Sequence, residues 1–526
     1  MIISTLDQLT EMLLQQRNIT APFQPPSFTD LHDPQDMSGM RETIERIQKA
    51  IKNKERIIIY GDFDADGITA TVILVHGLRS LGANVSYRIP DRHTQSHGLN
   101  KEIIEEIATK DVQLLITCDC GINDHKEVDF AVGKGLDVII TDHHTPDPDR
   151  FPLKAFAVIN PHLAHCSYPE KNLSGSAVAF KVIQALKVEN INKYLEIATI
   201  GLIADCMELT GENRILAQLG IKALKNTQWK ALKKLFSTTQ TDTSSINEQT
   251  IGFVIAPRLN AASRLGNVLL ATQLFLGPEA EQSQRLAQLE ALNTERKRLT
   301  EEGFSQSLSQ INDKAPVQFL FHPTWDLGIL GLIAGRQAER LNQPIIAAAQ
   351  NENGDLHASC RCPRGLSIIQ ALQASPAQFI GFGGHDGAAG FQSTLQERSR
   401  IHQGLHEYFS KQKPIPTKAP VDAWLSSRMV DFKTHDFLKN LAPFGPGNPE
   451  PIFGLKDVEI IDFKTLGKNG NHLRFRGKTK DSEHEFMAFF AEKFIQTIRR
   501  GETQDLHFTM SENWWKGQRK LQLKLV

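Results

Sequence analysis

The chain of 526 residues has few of the features that mark secreted and membrane proteins. Its six cysteines include two C-x-C pairs, but none has the C-x2-C spacing of a structural zinc site. Its apolar runs, such as Leu327–Gly335, are far shorter than the ~20 residues that a membrane-spanning helix needs. The N-terminus carries acids and glutamines where a signal peptide would have a basic end and an apolar core. We therefore expect a cytoplasmic protein with reduced thiols and no membrane association.

The chain also lacks an excess of either charge. Its formal net charge is −1, so a nucleic-acid ligand would have to be bound by a local group of basic residues. Apolar residues make up 40% and charged residues 23%, a globular composition that excludes collagen-like and wholly disordered chains. At about 100–200 residues per domain, the length predicts three to five domains.

Residues 41–240 show strand patterns that alternate with helix patterns. This alternation is typical of an α/β domain with a parallel sheet and helices on both faces. The predicted strands are Arg56–Tyr60, Asn84–Ile89, Val112–Thr117, Asp137–Thr141 and Ala155–Asn160. Residues 1–40 have no regular pattern, and we interpret them as an irregular N-terminal extension.

Changes of pattern divide the rest of the chain into three further domains. Residues 279–311 are polar almost throughout and predict a long helix, which lies in a connecting helical region at 241–312. A second, smaller α/β pattern occupies 313–410 and ends at a Lys/Pro-rich linker, 411–420. Short, evenly spaced strand patterns in 421–526 predict a small barrel of OB type.

The segment YGDFDADGIT (60–69) is the most specific motif. Asp62, Asp64 and Asp66 alternate directly after a predicted strand, so their like charges would share one face. Divalent cations bound by carboxylate oxygens would neutralise that repulsion. An EF-hand loop is the alternative, but the glutamate that it needs six residues after its glycine is missing from Thr69–Ile73.

Acids and imidazoles also follow two neighbouring predicted strands. Cys118-Asp119-Cys120-Gly121 follows one strand, and Asp142-His143-His144 follows the next. Ligands of open α/β sheets bind at the carboxyl ends of the strands, where these groups would converge. Asp205 ends an apolar helix pattern and is a further candidate. An oxygen-rich set with one or two imidazoles suits Mn²⁺ or Mg²⁺, and its size suggests two ions bridged by one aspartate and a water.

The motifs GDFDADG, CDCG, TDHH and GLIAD stand in the order of the motifs of the DHH phosphoesterase superfamily. From about residue 30 to the end, segments such as APRLNAASRLG, HASCR, GFGGHDGAAGF and LAPFGPGNPEPIF resemble one branch, the RecJ single-stranded-DNA-specific exonucleases. The resemblance implies a parallel-sheet DHH domain, a long connecting helix, a smaller α/β domain of DHHA1 type and an OB-like barrel. It implies a 5′→3′ exonuclease of DNA recombination and repair that releases 5′-mononucleotides by two-metal hydrolysis.

The resemblance also implies roles for individual residues. The two Mn²⁺ or Mg²⁺ ions would be held by Asp64, Asp66, Asp119, His143 and Asp205, with Asp119 as the bridge. Asp62 would contact one ion or orient its water, and His144 would face the scissile phosphate. Substrate would be bound by Arg92, Arg258, Asn260, Arg264, Ser359, Arg361 and His385, with Arg92 near the terminal 5′-phosphate.

Three positions depart from the RecJ pattern. Asp326 follows Trp325 where a histidine is common, His97-Gly98-Leu99 stands where GYGL is usual, and Cys362 follows Arg361 where a serine is common. None of them is a predicted metal ligand. The resemblance further implies a monomer that acts on single-stranded DNA together with a single-strand-binding protein and a RecQ-type helicase.

Two other functions remain open at this point. A small-substrate DHH phosphodiesterase would cleave cyclic dinucleotides or short oligonucleotides, but it would need only the first two domains. A non-catalytic DNA-binding scaffold of the same fold should have lost metal ligands, and here every expected ligand is present. An inorganic pyrophosphatase is disfavoured because such enzymes lack an OB-like domain.

The C-terminal domain has a modest basic excess, with 14 Lys/Arg against 10 Asp/Glu in residues 456–526. Aromatic residues are interspersed among them, namely Phe475, Phe489, Phe490, Trp514 and Trp515. We therefore expect single-strand affinity to fall with salt, with a log–log slope of about −0.7 per neutralised phosphate. Deleting residues 421–526 should flatten this slope in a salt titration of DNA binding. An unchanged slope would instead assign the domain to folding or to a protein partner.

Overall fold

The structure is a computed structural model that describes residues 2–17, 25–92, 95, 97–412, 421–467, 470, 472–489, 491, 494–495, 498–515 and 518–526. The chain forms two compact units. The larger unit comprises Leu31–Met207 and Leu219–Thr417, and the smaller comprises Met1–Asp30, Glu208–Gln218 and Lys418–Val526. Within the described residues, no helix combines the length and the apolar character that crossing a membrane requires. The five-domain division is finer than these two units, and its boundaries stay predictions.

Helices and strands are numbered along the chain. The helices are α1 (Leu6–Gln16), α2 (Met40–Lys52), α3 (Ala65–Ser80), α4 (Lys101–Ala108), α5 (His125–Gly133), α6 (Gly175–Ala185), α7 (Ile191–Ala204), α8 (Gly211–Leu224), α9 (Lys230–Thr238), α10 (Glu248–Thr250), α11 (Ala256–Arg264), α12 (Leu269–Leu276), α13 (Gln282–Leu308), α14 (Leu330–Leu341), α15 (Ile368–Gln373), α16 (Arg398–Ser410) and α17 (Phe432–Leu438). The strands are β1 (Ile2–Ile3), β2 (Arg56–Gly61), β3 (Asn84–Arg88), β4 (Leu114–Cys118), β5 (Asp137–Thr141), β6 (Ala157–Ile159), β7 (Gln318–Phe321), β8 (Ile345–Gln350), β9 (Leu356–Arg361), β10 (Gly381–His385), β11 (Ala388–Ser393), β12 (Ala423–Leu425), β13 (Phe453–Leu466), β14 (His472–Lys478), β15 (Glu483–Ala488), β16 (Thr503–Trp515) and β17 (Gln518–Leu525).

The first sheet of the larger unit is parallel, as the sequence predicts. Its strand order is β3-β2-β4-β5-β6, and each pair runs in the same direction. Strands β2, β4 and β5 are almost wholly buried because helices cover both faces, which explains their uninterrupted apolar sequences. Tyr60 lies opposite Thr117 and Gly61 opposite Cys118, so β2 and β4 end side by side. The acids that follow them are thereby brought together.

The second sheet of the larger unit is mixed. Its order is β10-β11-β9-β8-β7, in which only β7 and β8 are parallel. Helix α14 packs against β8 and β9. The predicted long helix is α13, which buries Leu286, Leu289 and Asn293 although most of its surface is polar. This domain is smaller than the first and carries the Gly-rich segment on its edge strand β10.

The smaller unit contains a closed ring of five strands. Strand β13 pairs with both β14 and β16, and the ring continues through β15 and β17 back to β16. The pairing of β15 with β17 is parallel and the others in the ring are antiparallel. Its core contains Phe453, Phe475, Phe486 and Phe508. A five-stranded barrel of this kind is the architecture predicted for the C-terminal domain.

The prediction that residues 1–40 are irregular is wrong at their N-terminal end. Strand β1 pairs in parallel with β12, and α1 begins after Thr5, whose side chain accepts a hydrogen bond from the Gln8 N–H. Leu9 and Leu13, one turn apart, are fully buried in the core of the smaller unit. The polar residues between them obscured this helical spacing in the sequence.

Some predictions concern residues outside the described part of the chain. They are most of the linker 411–420, Phe490, and the side chains of Trp514 and Trp515. Of the other predicted aromatic contacts, Phe475 is 1% exposed and belongs to the barrel core, whereas Phe489 is 48% exposed.

We predict that Leu9→Ala destabilises the smaller unit by about 2–5 kcal/mol, the usual cost of truncating a buried leucine. Hydrogen exchange should accelerate in peptides from residues 2–17 and 421–526. The exposed neighbour Glu11 on the same helix provides the control Glu11→Ala, which should leave exchange unchanged. Equal protection in Leu9→Ala and the wild type would contradict a core role for α1.

Candidate metal centre and substrate cleft

The carboxyl ends of three neighbouring strands place three buried aspartates at one edge of the first sheet. Asp62 follows β2, Asp119 follows β4 and Asp142 follows β5. Their exposed fractions are 4%, 2% and 1%. Main-chain bonds hold the latter two, because the Asp119 N–H donates to the Thr141 carbonyl and the Asp142 N–H to the Ile159 carbonyl, each at 3.0 Å. The parallel sheet therefore fixes the backbone positions of these aspartates.

Asp64 is the N-cap of helix α3. Its Oδ1 accepts hydrogen bonds from the N–H groups of Asp66 at 2.9 Å and Gly67 at 3.1 Å. The Ala65 N–H donates instead to Asn260 Oδ1 at 2.9 Å. The first turn of α3 is thus held by its own cap and by a residue of α11, and this sets the direction of the whole DFDADG loop.

Asp66 is 1% exposed and lies against the first turn of helix α6. Its carboxylate accepts from the Gly175 N–H at 2.6 Å and from the Ser176 N–H at 3.1 Å. The N-terminus of a helix carries partial positive charge and unpaired N–H groups, so it stabilises a buried anion. No bulkier residue fits at Gly175, where a Cβ would lie 2.4 Å from Asp119 Oδ1.

Asp119 has a buried carboxylate oxygen without a hydrogen-bond partner. The unpaired atom is Oδ1, which lies 3.1 Å from His143 Nε2 in a geometry that forms no hydrogen bond. The residue also has a φ of +64°, a strained conformation for a side chain larger than glycine. A buried carboxylate oxygen is costly unless something pairs with it, and a cation between it and the imidazole would do so.

His143 stands between two carboxylates. Its Nε2 is 3.1 Å from Asp119 Oδ1 and 3.7 Å from Asp205 Oδ2. Asp205 is the C-cap of α7, so a helix from another part of the chain closes this side of the centre. Because the two acids face the same nitrogen, His143 lies where two groups of candidate metal ligands meet.

Burial and mutual repulsion together raise the pKa values of these acids. Burial, and then the charges of Asp62 and Asp66, raise the pKa of Asp64 to about 6. Burial, and then Asp66 and Asp64, raise the pKa of Asp205 to about 8. The pKa of Asp119 lies well above its ordinary value for the same reasons. Bound cations would remove this repulsion and keep the carboxylates ionised.

Three overlapping groups of donor atoms could each hold a metal ion. Within each group the ligand atoms lie within 4.8 Å of one another. The groups are Asp66–His143–Asp205, Asp119–His143–His144 and Asp62–Asp64–Asp119. Asp119 belongs to two of them, which suits a bridging ligand between two neighbouring ions. The predominance of carboxylate oxygen fits Mn²⁺ or Mg²⁺.

Asp142 orients the histidine pair, a role that the sequence interpretation missed. Its Oδ1 accepts from the N–H groups of His143 at 2.7 Å and His144 at 3.1 Å, and from His144 Nδ1 at 2.7 Å. Burial alone would raise the pKa of Asp142. The charge of His144 and the hydrogen bonds to the carboxylate outweigh burial, so the pKa lies below its usual range. Burial lowers the pKa of His144, yet Asp142 outweighs this and raises it to about 9. The only sequence signal is that an aspartate directly precedes the two histidines.

His97 was likewise missed. Its Nδ1 lies 3.1 Å from Asp62 Oδ1, and Asp62 raises the pKa of His97 to about 9. The two residues are 35 positions apart, so nothing in the local pattern links them.

A cleft of about 1040 Å³ lies between the two sheets of the larger unit. Its first wall includes Arg92, His144 and Arg264, and its second includes Ser359, Arg361 and His385. Arg264 comes from the connecting helical region and the other five residues come from the two α/β domains, so these two domains face each other across the cleft. The metal centre opens into the same cleft through Asp64 and His143.

The cleft has a cluster of guanidinium groups. Arg264 donates to the Gly328 carbonyl at 2.8 Å, and Arg361 donates to Ser359 Oγ at 3.2 Å. Burial, and then the charges of Arg92 and Arg361, lower the pKa of Arg264 to about 9. Positive charges crowded in this way favour an anion among them, and guanidinium groups match phosphate oxygens.

The chain matches three family descriptions along its length. Residues 56–205 match the DHH family, N-terminal domain, 312–411 match the DHHA1 domain, and 421–526 match the RecJ OB domain. A "Single-stranded-DNA-specific exonuclease RecJ" of Haemophilus influenzae is 30% identical over 93% of this chain and 90% of its own length. The corresponding Escherichia coli protein is 32% identical over 80% of this chain and 78% of its own length. The chain belongs to the RecJ family.

Length and structure add detail to this membership. The Bacillus subtilis relative is 32% identical over 94% of this chain, but the chain spans only 64% of that relative's length. RecJ of Thermus thermophilus in complex with Mn²⁺ has a TM-score of 0.82 at 28% identity over 98% of this chain and 74% of its own. Its complex with Mg²⁺ has a TM-score of 0.76 at 26% identity over 98% of this chain and 73% of its own. The Thermus thermophilus relative thus binds the two metals that the donor set of this chain favours.

Two residues of the RecJ-like motif APRLNAASR have structural contacts in this chain. Arg258 forms a two-pronged ion pair with Glu290 of α13 and donates to the Val254 carbonyl at 2.7 Å. It is not among the cleft-lining residues of the described chain. Asn260 holds the start of α3, so it positions the metal loop. Only Arg264 of the three predicted substrate contacts in this motif reaches the cleft, and the substrate roles of all three stay predictions.

One departure from the RecJ pattern has a local explanation. Asp326 Oδ1 accepts from the Gly328 N–H at 2.7 Å and caps the turn before α14. The same turn carries the carbonyl that binds Arg264, so the cap stabilises one edge of the cleft.

We predict that Asp119→Ala abolishes hydrolysis, because it removes the carboxylate shared by two groups of ligands. Activity should fall by more than the 10–100-fold typical of losing a supporting residue, measured as turnover on labelled DNA with saturating Mn²⁺. Mn²⁺ binding, followed by electron paramagnetic resonance, should weaken in parallel. The exposed Asp149 provides the control Asp149→Ala. If Asp119→Ala kept more than about a tenth of wild-type turnover, the bridging assignment would be wrong.

Proposed function

We propose that the protein degrades single-stranded DNA from the 5′ end and releases 5′-mononucleotides. As a member of the RecJ family with a complete acidic centre, it is a metal-dependent exonuclease of single-stranded DNA. The observation that supports the direction of attack is the presence of the guanidinium cluster and the metal centre in one cleft. A strand end held by the first would present a nearby phosphodiester to the second.

The metal ligands are proposed to be Asp64, Asp66, Asp119, His143 and Asp205. Two divalent cations held there would activate a water and offset charge on the phosphate oxygens. Asp62, buried beside the centre, would accept a hydrogen bond from that water. His144, whose Nδ1 is held by Asp142, would donate from its other ring nitrogen to a non-bridging phosphate oxygen.

The second wall of the cleft is proposed to hold the strand end. Arg361 and Ser359 are already linked by a hydrogen bond, and a Cβ at Gly331 would lie 2.9 Å from Arg361 Nη2. The absence of a side chain at Gly331 therefore leaves room for the guanidinium. His385 lies on the same wall, and Arg92 faces it from the DHH domain. A duplex end would have to separate before one strand entered between these walls.

The barrel of the smaller unit is proposed to bind the single strand farther from its end. Three basic residues alternate along the outer face of β14, namely Arg474, Arg476 and Lys478. Acids neutralise part of this row, because Arg476 pairs with Asp462 and Lys478 lies opposite Glu483. At the other end of the row Arg474 lies opposite Lys464 and only 3.8 Å from Glu485 Oε2, with Phe463 41% and Phe489 48% exposed. Exposed aromatic rings beside cations suit base stacking.

Substitution tests this binding face better than deletion, because removing 421–526 would uncover Leu9 and Leu13 of α1. A Lys464→Ala, Arg474→Ala double variant should flatten the salt slope of DNA binding by about 1.4, twice the single-phosphate value. Arg476→Ala provides the control and should change the slope less, because the ion pair of Arg476 with Asp462, at 2.5 Å, is closer than the 3.8 Å contact of Arg474 with Glu485.

Cellular context is proposed from the RecJ resemblance alone. We place the protein in the cytoplasm, as a monomer acting in DNA recombination and repair with a single-strand-binding protein and a RecQ-type helicase. Co-sedimentation with each partner would test this. The small-substrate phosphodiesterase and the non-catalytic scaffold are not favoured, because the chain carries both the RecJ OB domain and all the metal ligands.

The decisive assay uses purified protein with Mn²⁺ or Mg²⁺ on 5′- and 3′-labelled single-stranded and duplex DNA. Mononucleotides should appear first from the 5′ label of the single strand. Their appearance first from the 3′ label would overturn the proposed direction but would not contradict the proposed metal centre.

We predict that a 5′-phosphorylated strand is degraded faster than a 5′-hydroxyl strand, because the terminal phosphate adds charge for Arg92 and Arg361. Arg92→Ala should reduce this preference by about tenfold, the value of losing one hydrogen bond to a charged group, ~1.5 kcal/mol. The exposed Arg41 provides the control Arg41→Ala, which should keep the preference. Equal wild-type rates on both ends would contradict the terminal-phosphate role.

A further inference from the structure

His97 lines the cleft beside the metal centre. Half of its side chain is exposed, whereas its partner Asp62 is 5% exposed. The contact between them is short and direct, from Nδ1 to Oδ1 at 3.1 Å. Among the described residues, Asp62 is the hydrogen-bond partner of the His97 imidazole.

The bond to His97 fixes a carboxylate that belongs to the metal centre. Donor atoms of Asp62, Asp64 and Asp119 lie within 4.8 Å of one another. Asp64 is held by the first turn of α3. A partner that occupies one oxygen of Asp62 sets the plane of the carboxylate and the direction of its remaining lone pairs. Such supporting residues commonly decide how well a metal site is ordered.

Ring contacts fix His97 in turn. It meets Phe63 edge to face at 6.1 Å and His144 edge to face at 5.4 Å, measured between ring centroids. Phe63 also carries the guanidinium of Arg92 over its face at 4.9 Å. His97 therefore stands between the arginine proposed to hold the strand end and the histidine proposed to contact the phosphate.

The side-chain type matters for this contact. His97 reaches Asp62 through Nδ1, the ring nitrogen on the side nearer the backbone. A tyrosine carries its hydroxyl at the far end of the ring, whereas the Nδ1 of histidine is next to the Cγ atom. The bond from the near side of the ring to Asp62 is thus one that a tyrosine at this backbone position could not form.

We propose that His97 is a positioning residue, which orients the Asp62 carboxylate for metal binding and hydrolysis. The inference rests on the proposed nuclease function for its kinetic part and on Mn²⁺ binding for the rest. It predicts a loss in kcat, because the residue acts on the centre, and little change in KM, because it does not hold the strand.

The test compares His97→Ala, His97→Asn and His97→Gln with the wild type in the full-length protein. The Asn amide nitrogen takes the place of Nδ1, whereas the Gln amide reaches the position of Nε2. His97→Ala should lower kcat on 5′-phosphorylated single-stranded DNA by about 10–100-fold and weaken Mn²⁺ binding, measured by electron paramagnetic resonance, over the same range. His97→Asn should recover most of both losses, and His97→Gln should not.

The exposed His165 provides the control His165→Ala, which should match the wild type. Turnover and Mn²⁺ binding of His97→Ala within about threefold of wild type would overturn the inference. So would a loss confined to KM, or equal losses in His97→Ala and His97→Asn that follow a lower melting temperature. If the wild type left single-stranded DNA uncut, the proposed function would fail, but the Mn²⁺ titration of the variants would still decide the role of His97.

Discussion

The concentration of negative charge at the carboxyl edge of one parallel sheet constrains the rest of the larger unit. Asp62, Asp66 and Asp119 are each at most 4% exposed, so water cannot screen their repulsion. Other groups of the protein offset part of this repulsion, because two N–H groups of α6 donate to Asp66 and His97 contacts Asp62. Asp119 Oδ1 has no hydrogen-bond partner, so the protein alone does not offset all of the negative charge. Divalent cations bound between the carboxylates would neutralise the remaining negative charge.

Glycines allow helices to pack closely around these carboxylates. A Cβ at Gly67 would lie 2.6 Å from the Asp62 Cβ, and one at Gly201 would lie 2.4 Å from Asp66 Oδ1. With Gly175 beside Asp119, these positions let helices α3, α6 and α7 approach the carboxylates closely. Close approach brings the N-terminus of α6 within hydrogen-bond distance of Asp66. It also brings Asp205, at the end of α7, to the far side of the centre.

The cleft separates two opposite electrostatic tasks. Acids on the DHH domain attract cations, whereas Arg264 and Arg361 bring positive charge to the two walls of the cleft. Burial, and then the charges of Arg92 and Arg361, lower the pKa of Arg264. Neither group could bind and cleave a phosphodiester by itself, since the acids repel it until metal is bound and the arginines hold no metal. Their juxtaposition in one compact unit is what allows a strand to meet both. The Arg258–Glu290 ion pair and the Asn260 cap support this arrangement from behind.

The sequence by itself determined the fold class, the family and the identity of the acidic motifs. Alternating aspartates after a buried strand and the order of four short motifs are local patterns, so they can be read without a fold. The tertiary structure alone decided which partners those residues have. Asn260 meets Ala65 across 195 positions, His97 meets Asp62 across 35, and Glu290 pairs with Arg258 across 32. Helix α1 was missed in the sequence for the same reason, because Leu9 packs into the core of a barrel whose strands lie some 400 residues later in the chain. Contacts of this kind depend on which elements pack together, and packing depends on the whole chain rather than on the spacing of neighbouring residues.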